Sequence, residues 1–303
     1  MTIDREQSTE SKMTKPSLLS ELVALSKPRV IELLITTALP AMFLAAGDFP
    51  DAIKIFGVLI GGTLAAGSSN AINSILEKET DTNMNRTKMR PMAQGRLSQK
   101  FAWTFAILSQ IIAFTIVLLS SNILAASFTL LASFVYVVVY TIWLKPRSDQ
   151  NIVIGGAAGA LPVIIGYTAV SENVSWQPIV MFLVVFFWTP AHFWALAVFH
   201  QEDYKKGGFP MMPITRGRKY TSKAMLVYAL LTCLTSFGLV IDKNLGLIYL
   251  ITAAILAFWF IFEAIRLTRN SESIHRGRYM RFFHISNGYL AILFIAIAID
   301  SVV

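Results

Sequence analysis

Cysteine is almost absent. Cys233 is the single one in 303 residues, so no disulfide framework can form, and a thiol inside an apolar run is left to pack as a small hydrophobic group. Charge is scarce as well: Asp, Glu, Lys and Arg make up 15% of the chain and hydrophobic residues 55%. That balance is far from the soluble average and reads as a polytopic membrane protein. Of the charges present, the acids are the rarer sign, 18 against 26 basic residues. The first 20 or so residues lack the early apolar core of a signal peptide. They also mix Asp4, Glu6 and Glu10 with Arg5, Lys12 and Lys15, whereas a mitochondrial transit peptide avoids acids. Residues 1–26 are therefore expected to be a short, disordered cytoplasmic tail, and 27–303 a single transmembrane domain.

Crossing about 30 Å of hydrocarbon takes roughly 20 apolar residues. Such stretches fall at 28–47, 54–77, 101–120, 122–143, 152–170, 177–199, 224–241, 246–267 and 283–302, which predicts an all-α bundle of nine transmembrane helices. Lys and Arg supply a check on that count, because they gather in cytoplasmic loops. Here 24 of the 26 lie in alternate connections, and only Lys54 and Lys243 fall on the other side. The alternation puts the N-terminus in the cytoplasm and the C-terminus outside. It also accounts for the net charge of +8 without any nucleic acid.

Two of the inner loops, 78–100 and 200–223, are long and charged, and function is expected there. At the entrance to the first, Asn73, Glu77 and Asp81 recur every fourth residue, followed by Arg86, Lys88 and Arg90 in the run RTKMRP. Positions i and i+4 share a helix face, so an amide oxygen and two carboxylates along roughly 12 Å can converge on hard cations. Magnesium takes few protein oxygens and keeps substrate phosphates as further ligands. The cations downstream suit phosphate, Arg through bidentate forks and Lys as a point charge. The plainer reading is a helix end fraying into a solvated polar loop, which fits any one of these residues better than all six in this order.

The second loop opens with His200, Gln201, Glu202, Asp203, Tyr204, Lys205 and Lys206, where carboxylates facing the first motif would hold a second magnesium ion. Lys145 and Arg147 stand in a shorter inner loop and either anchor the chain at the membrane surface or add diphosphate contacts. His192 lies inside a span among Trp188, Phe193 and Trp194, with Pro190 expected to bend the helix. An ionisable residue within a span is a functional candidate. Its neutral imidazole could ligate a metalloporphyrin iron, or be a hydrogen-bonded structural group. Runs of small residues at Gly61–Gly67 and Gly155–Ala160 serve close helix packing, or leave a wall against which a flat ligand or prenyl chain could lie. Glu263 calls for a cationic neighbour that the sequence does not name.

These stretches resemble the UbiA-type intramembrane prenyltransferases, over essentially all nine spans. The matching segments are KPRVIELL at 27–34, the Asn73, Glu77 and Asp81 motif with MNRTKMRP at 84–91, and YTIWLKPRSDQNIVIGGAAGALPVIIGYTA at 140–169. WTPAHFWALA at 188–197 and DYKKGGFPMMP at 203–213 complete the set. The last three are features of the haem-modifying branch. Glu77 stands where the family usually has Asp, and Ala191 where it has a second Pro; the second acidic motif is thin, with Asp203 its surest member.

The resemblance implies transfer of a farnesyl group from farnesyl diphosphate to a vinyl group of haem b, with addition of water, to give haem O and diphosphate. It implies Mg2+ held by Asn73, Glu77, Asp81 and Asp203, and diphosphate held by Arg86, Lys88, Arg90, Lys145 and Arg147. His192 would be the haem ligand, and the setting a bacterial plasma membrane with haem A synthase or terminal-oxidase assembly as the downstream partner. Two rivals stand beside it: a prenyltransferase acting on a quinone precursor, and a haem-binding transporter or scaffold without catalysis.

Overall fold

The computed structural model describes residues 16–28, 31–269, 271 and 274–303. Among them there are helices and no strands, as hydrocarbon requires of a chain that must satisfy its own backbone groups. The helices are α1 (Leu18–Ser26), α2 (Ile31–Ala46), α3 (Ala52–Leu76), α4 (Lys78–Thr82), α5 (Gln99–Ser120), α6 (Ile123–Leu144), α7 (Asn151–Ser171), α8 (Trp176–Phe199), α9 (Gln201–Lys206), α10 (Met212–Thr215), α11 (Gly217–Phe237), α12 (Leu247–Arg269) and α13 (Gly277–Asp300).

Eight of these are long and apolar enough to cross a membrane. The first expected span, 28–47, is the exception: α2 has 16 residues, about 24 Å at 1.5 Å per residue, short of the hydrocarbon thickness. The tail departs from expectation too. Its residues 1–15 lie outside the described part, but from Leu18 the chain is helical: Ser17 caps α1 by accepting from the Ser20 N–H, and Leu25 packs into a cluster with Ala71, Ile75 and Met92. Glu21, buried, accepts from Arg96 Nε at 2.5 Å and ties α1 to the loop after α4.

Pairing follows the small residues. Helix α3 lies along α5, α2 along α7, and α8 among α7, α11 and α13. A Cβ at Gly61 would stand 2.5 Å from the Val117 side chain, and one at Gly155 2.3 Å from Tyr140, so these positions serve close packing, the commoner use of small residues in lipid. The tightest approach to backbone is at Gly166, whose added Cβ would fall 2.2 Å from the backbone oxygen of Ala38. Backbone cannot swing aside as a side chain can. Gly166→Ala is expected to destabilise the α2–α7 pair by about 1–3 kcal/mol, read as a lower unfolding temperature of the detergent-solubilised protein; an unchanged temperature would refute this packing.

Outward-facing Ile255, Phe258 and Leu234 stay exposed, a surface suited to lipid rather than water. At the end of the bundle holding Lys54, that residue meets Glu172 at 3.9 Å. There Asp300 accepts from the N–H groups of Gly246 at 2.5 Å and Tyr249 at 2.9 Å, satisfying donors at the start of α12. The opposite end carries α4, α9, α10 and the long loops.

Candidate active site

The phase of the first motif survives a break in its helix. Helix α3 ends at Leu76, Glu77 is a hinge with φ −95°, and α4 begins at Lys78. Even so, the Glu77 N–H donates to Asn73 O at 3.0 Å and the Asp81 N–H to Glu77 O at 2.8 Å. The i to i−4 ladder therefore keeps all three side chains on one face. All three are buried.

Each meets a cation. Asn73 Oδ1 accepts from Lys27 Nζ at 2.6 Å, Glu77 pairs with Lys145, and Arg90 Nη1 donates to both oxygens of Asp81, at 2.9 and 2.8 Å. The amide of Asn73 is oriented by its other side. Thr141 Oγ1 donates to Tyr136 O at 2.9 Å, so it accepts from Asn73 Nδ2 at 3.2 Å and leaves Oδ1 turned toward Lys27. Thr141, Tyr136 and Tyr140 come from the inner half of α6, which is wound as a π-helix over Val135–Leu144. The Lys145 N–H correspondingly donates to Tyr140 O, five residues back. Such winding recurs at functional sites because it re-aims side chains.

Three cations against two carboxylates leave one positive charge over. Lys27 shows the crowding: desolvation, then the charge of Arg90, push its ammonium down to about 7, with Glu77 pulling the other way. An anion is what this cluster lacks. Beside it a cavity of about 240 Å³ opens between Glu77, Thr80, Thr141, Ile142 and Phe209, and Lys145 sits 4.6 Å over the Phe209 ring.

The second loop does face the first. Arg86 donates to Tyr204 Oη at 3.1 Å and lies 4.8 Å over its ring. Met84, Tyr204, Phe209 and Met211 share one apolar cluster, and the charge of Asp203 acts on both Arg86 and His200. Not every expected residue joins. Arg147 is turned back onto the end of its own helix, donating to Ile142 O at 2.6 Å and Trp143 O at 3.0 Å, where a cation caps orphan carbonyls. Lys88 is exposed and bonds Asn85 Oδ1 at 3.2 Å, and Glu202 is drawn to Arg276 at 3.0 Å. No group of three His, Cys, Asp or Glu side chains forms a ready metal cage among the described residues. The set at Asn73, Glu77 and Asp81 nonetheless fits magnesium: its donors are hard oxygens, and each already holds a positive group where a metal ion would lie.

Eight residues before His200, about 12 Å along α8, His192 is clasped between two parallel rings, Trp188 and Phe283, each with its centroid 4.2 Å away. Ser286 Oγ donates to Phe283 O at 2.7 Å, so it must accept from His192 Nδ1, also at 2.7 Å. The proton is thereby placed on Nδ1 and the lone pair on Nε2. Trp188 Nε1 donates to Ser286 O at 2.7 Å, locking the same turn of α13. Helix α8 runs through Pro190 without interruption. Phe283 and Ser286 carry no motif that could have announced them. Lys27 did lie within the KPRVIELL stretch, but its target is 46 positions away. The partners of Glu263 prove to be Arg266 at 3.1 Å and Arg281 at 3.6 Å.

A bundle of lipid-facing helices with oxygen donors, cations and a cavity at one end is the plan of an integral-membrane enzyme for an amphiphile with an anionic head. The comparisons with known proteins agree. The model of the UbiA prenyltransferase family matches residues 34–287, and the chain belongs to that family. A protein named protoheme IX farnesyltransferase from Clavibacter michiganensis is 42% identical over 298 residues, covering 98% of this chain and 96% of its own. Another, protoheme IX farnesyltransferase 1 of Saccharopolyspora erythraea, is 42% identical over 292 residues, or 96% and 93%. Among solved structures, digeranylgeranylglyceryl phosphate synthase superposes with a TM-score of 0.77 at 19% identity, covering 94% of this chain and 98% of its own. A UbiA homolog from Archaeoglobus fulgidus bound to GPP and Mg2+ does so at 0.63 and 19%, covering 91% and 99%. At that identity the two structures speak for the fold.

Proposed function

We propose that this chain transfers the farnesyl group of farnesyl diphosphate to a vinyl group of haem b, with addition of one water molecule, to give haem O and diphosphate. The observation that carries the reading is the inward face where Asn73, Glu77 and Asp81 meet Lys27, Lys145 and Arg90 beside a cavity that reaches Ile142 and Phe209. The name borne by relatives 42% identical over nearly the whole chain selects the acceptor.

In this reading Asn73, Glu77, Asp81 and Asp203 hold Mg2+, directly or through water, and the ion's contribution is to offset charge on the leaving diphosphate. Arg86, Arg90, Lys145 and the more exposed Lys88 bind phosphate oxygens. Carbon–oxygen cleavage leaves an allylic cation, which Phe209 and the tyrosines of α6 would shield through their ring faces while lipid-side packing keeps water away. His192 offers Nε2 to the haem iron, and its clasp by Trp188 and Phe283 fixes the orientation of the imidazole and with it of the substrate. Arg147 is left with a helix-capping role. The site lies at the cytoplasmic face, supported by the one-sided distribution of Lys and Arg. A bacterial plasma membrane is the proposed setting, with haem A synthase or terminal-oxidase assembly receiving the product.

The test is to incubate membranes containing the protein with haem b, farnesyl diphosphate and Mg2+, then extract the haems for chromatography and mass determination. The expected product is heavier than haem b by a farnesyl group plus a hydroxyl. Folded protein that yields no such haem, but prenylates a quinone precursor, would overturn the choice of acceptor.

A further inference from the structure

Three of the four donors assigned to the metal, those of the first motif, already hold one of the chain's own cations: Lys27 on Asn73 at 2.6 Å, Lys145 on Glu77 and Arg90 on Asp81 at 2.8 Å. Charge neutralisation alone does not ask for this, because two carboxylates need only two cations and Asn73 is neutral. The third cation sits on the amide oxygen all the same, and Thr141 holds the amide turned to receive it. What the three cations share is position: each occupies an oxygen that would face a metal ion.

We propose that Lys27, Lys145 and Arg90 are resident counter-cations of the metal site, and that substrate entry is an exchange of partners. The three donors pass to magnesium, while the three cations turn to the phosphate oxygens. This rests on the reading of Asn73, Glu77 and Asp81 as a metal-diphosphate site, and it adds Lys27 to the groups that bind diphosphate. Lysine suits such a swing, its charge riding on a flexible four-carbon stem, and the planar fork of Arg90 matches phosphate as well as it matches Asp81.

The exchange makes the two ions depend on each other. A divalent ion arriving alone must push three cations off their oxygens and leave them crowded beside it. Diphosphate arriving alone must draw those cations away and strand two buried carboxylates, Glu77 and Asp81, without partners. Arriving together, every charge keeps an opposite neighbour. The structure thus builds in positive coupling, which by linkage is reciprocal: free divalent ions are held weakly until a prenyl diphosphate is present, and the prenyl diphosphate weakly until the ion is.

The test uses the full chain in lipid nanodiscs, with Mn2+ standing in for magnesium as another ion suited to oxygen donors. Bound Mn2+ is read from loss of the free-ion electron paramagnetic signal. Titrations are run with and without farnesyl thiolodiphosphate, a slowly reacting analogue, after subtracting the complex that Mn2+ forms with it in solution. Lys27→Met removes a cation from a neutral donor and strands no charge. It should tighten Mn2+ binding in the absence of analogue by about fivefold or more, and weaken analogue binding by a similar factor, the lower range of measured couplings.

Arg86→Met is the contrast. It removes a positive charge that donates to Tyr204 and occupies none of the three first-motif donors, so it should weaken the analogue while leaving binding of Mn2+ without analogue within about twofold of the wild type. Lys145→Met serves as the second variant, with the same signs as Lys27→Met. The proposal is overturned if both lysine variants bind Mn2+ alone as the wild type does. It is overturned equally if the wild type holds Mn2+ as tightly without the analogue as with it. If the wild type takes up no Mn2+ even beside the analogue, the metal-site reading itself fails, and the exchange fails with it.

Discussion

Asp81→Asn is expected to lower haem O formation by roughly 10²–10³-fold, the loss seen when a group stabilising transition-state charge is deleted. Asp81 is fully buried, and its two oxygens share one Arg90 nitrogen. Asparagine keeps the shape but replaces one oxygen by an NH2 that faces another donor, and it removes the charge that a divalent ion needs. Removing one partner of a buried pair also threatens stability, so turnover is compared with the unfolding temperature of the same preparation. Asp81→Glu retains the charge on a longer arm and should recover part of the lost rate. A folded Asp81→Asn protein that makes haem O at the wild-type rate would remove Asp81 from the site.

Replacing His192 by leucine should weaken haem b binding by at least about 100-fold and shift the Soret band, with prenyl diphosphate binding left intact. The magnitude follows from the observation that loss of an outer partner of a metal ligand alone costs roughly 10–100-fold. Such a partner is present here in Ser286, and Ser286→Ala should cost that smaller amount by freeing the ring to turn. Leucine fills much of the space between Trp188 and Phe283, which limits the cavity penalty. If His192 were only a packed imidazole, the leucine variant would bind haem b with an unchanged spectrum and lose thermal stability instead. That pattern would end the assignment of His192 to iron.

What was legible in advance is uneven, for identifiable reasons. Hydropathy located the eight long helices because lipid imposes one rule on every residue facing it. It overran at 28–47, where Pro28 lies before α2 and the helix itself is only Ile31–Ala46, and at the tail, where Leu25 and Glu21 have specific partners on α3 and in the following loop. The spacing of Asn73, Glu77 and Asp81 was readable since hydrogen bonds four residues apart carry the phase through the hinge. Arg147 was ambiguous because a basic residue after a helix serves a phosphate or the helix's own carbonyls equally well, and in this structure it donates to the carbonyls.

The sequence by itself determined that the chain is a bundle of apolar helices, that its charge gathers at one end, and which side chains could hold a metal ion and a diphosphate. These are consequences of local period and composition, written in residues at most a few turns apart. Only the tertiary structure decided which cation sits on which donor, with Lys145 brought to Glu77 across 68 positions. It alone likewise set the proton of His192 on Nδ1, through a serine 94 residues away. Contacts at such separations depend on how helices cross, and helix crossing is set by packing between surfaces rather than by any pattern along one strand of sequence.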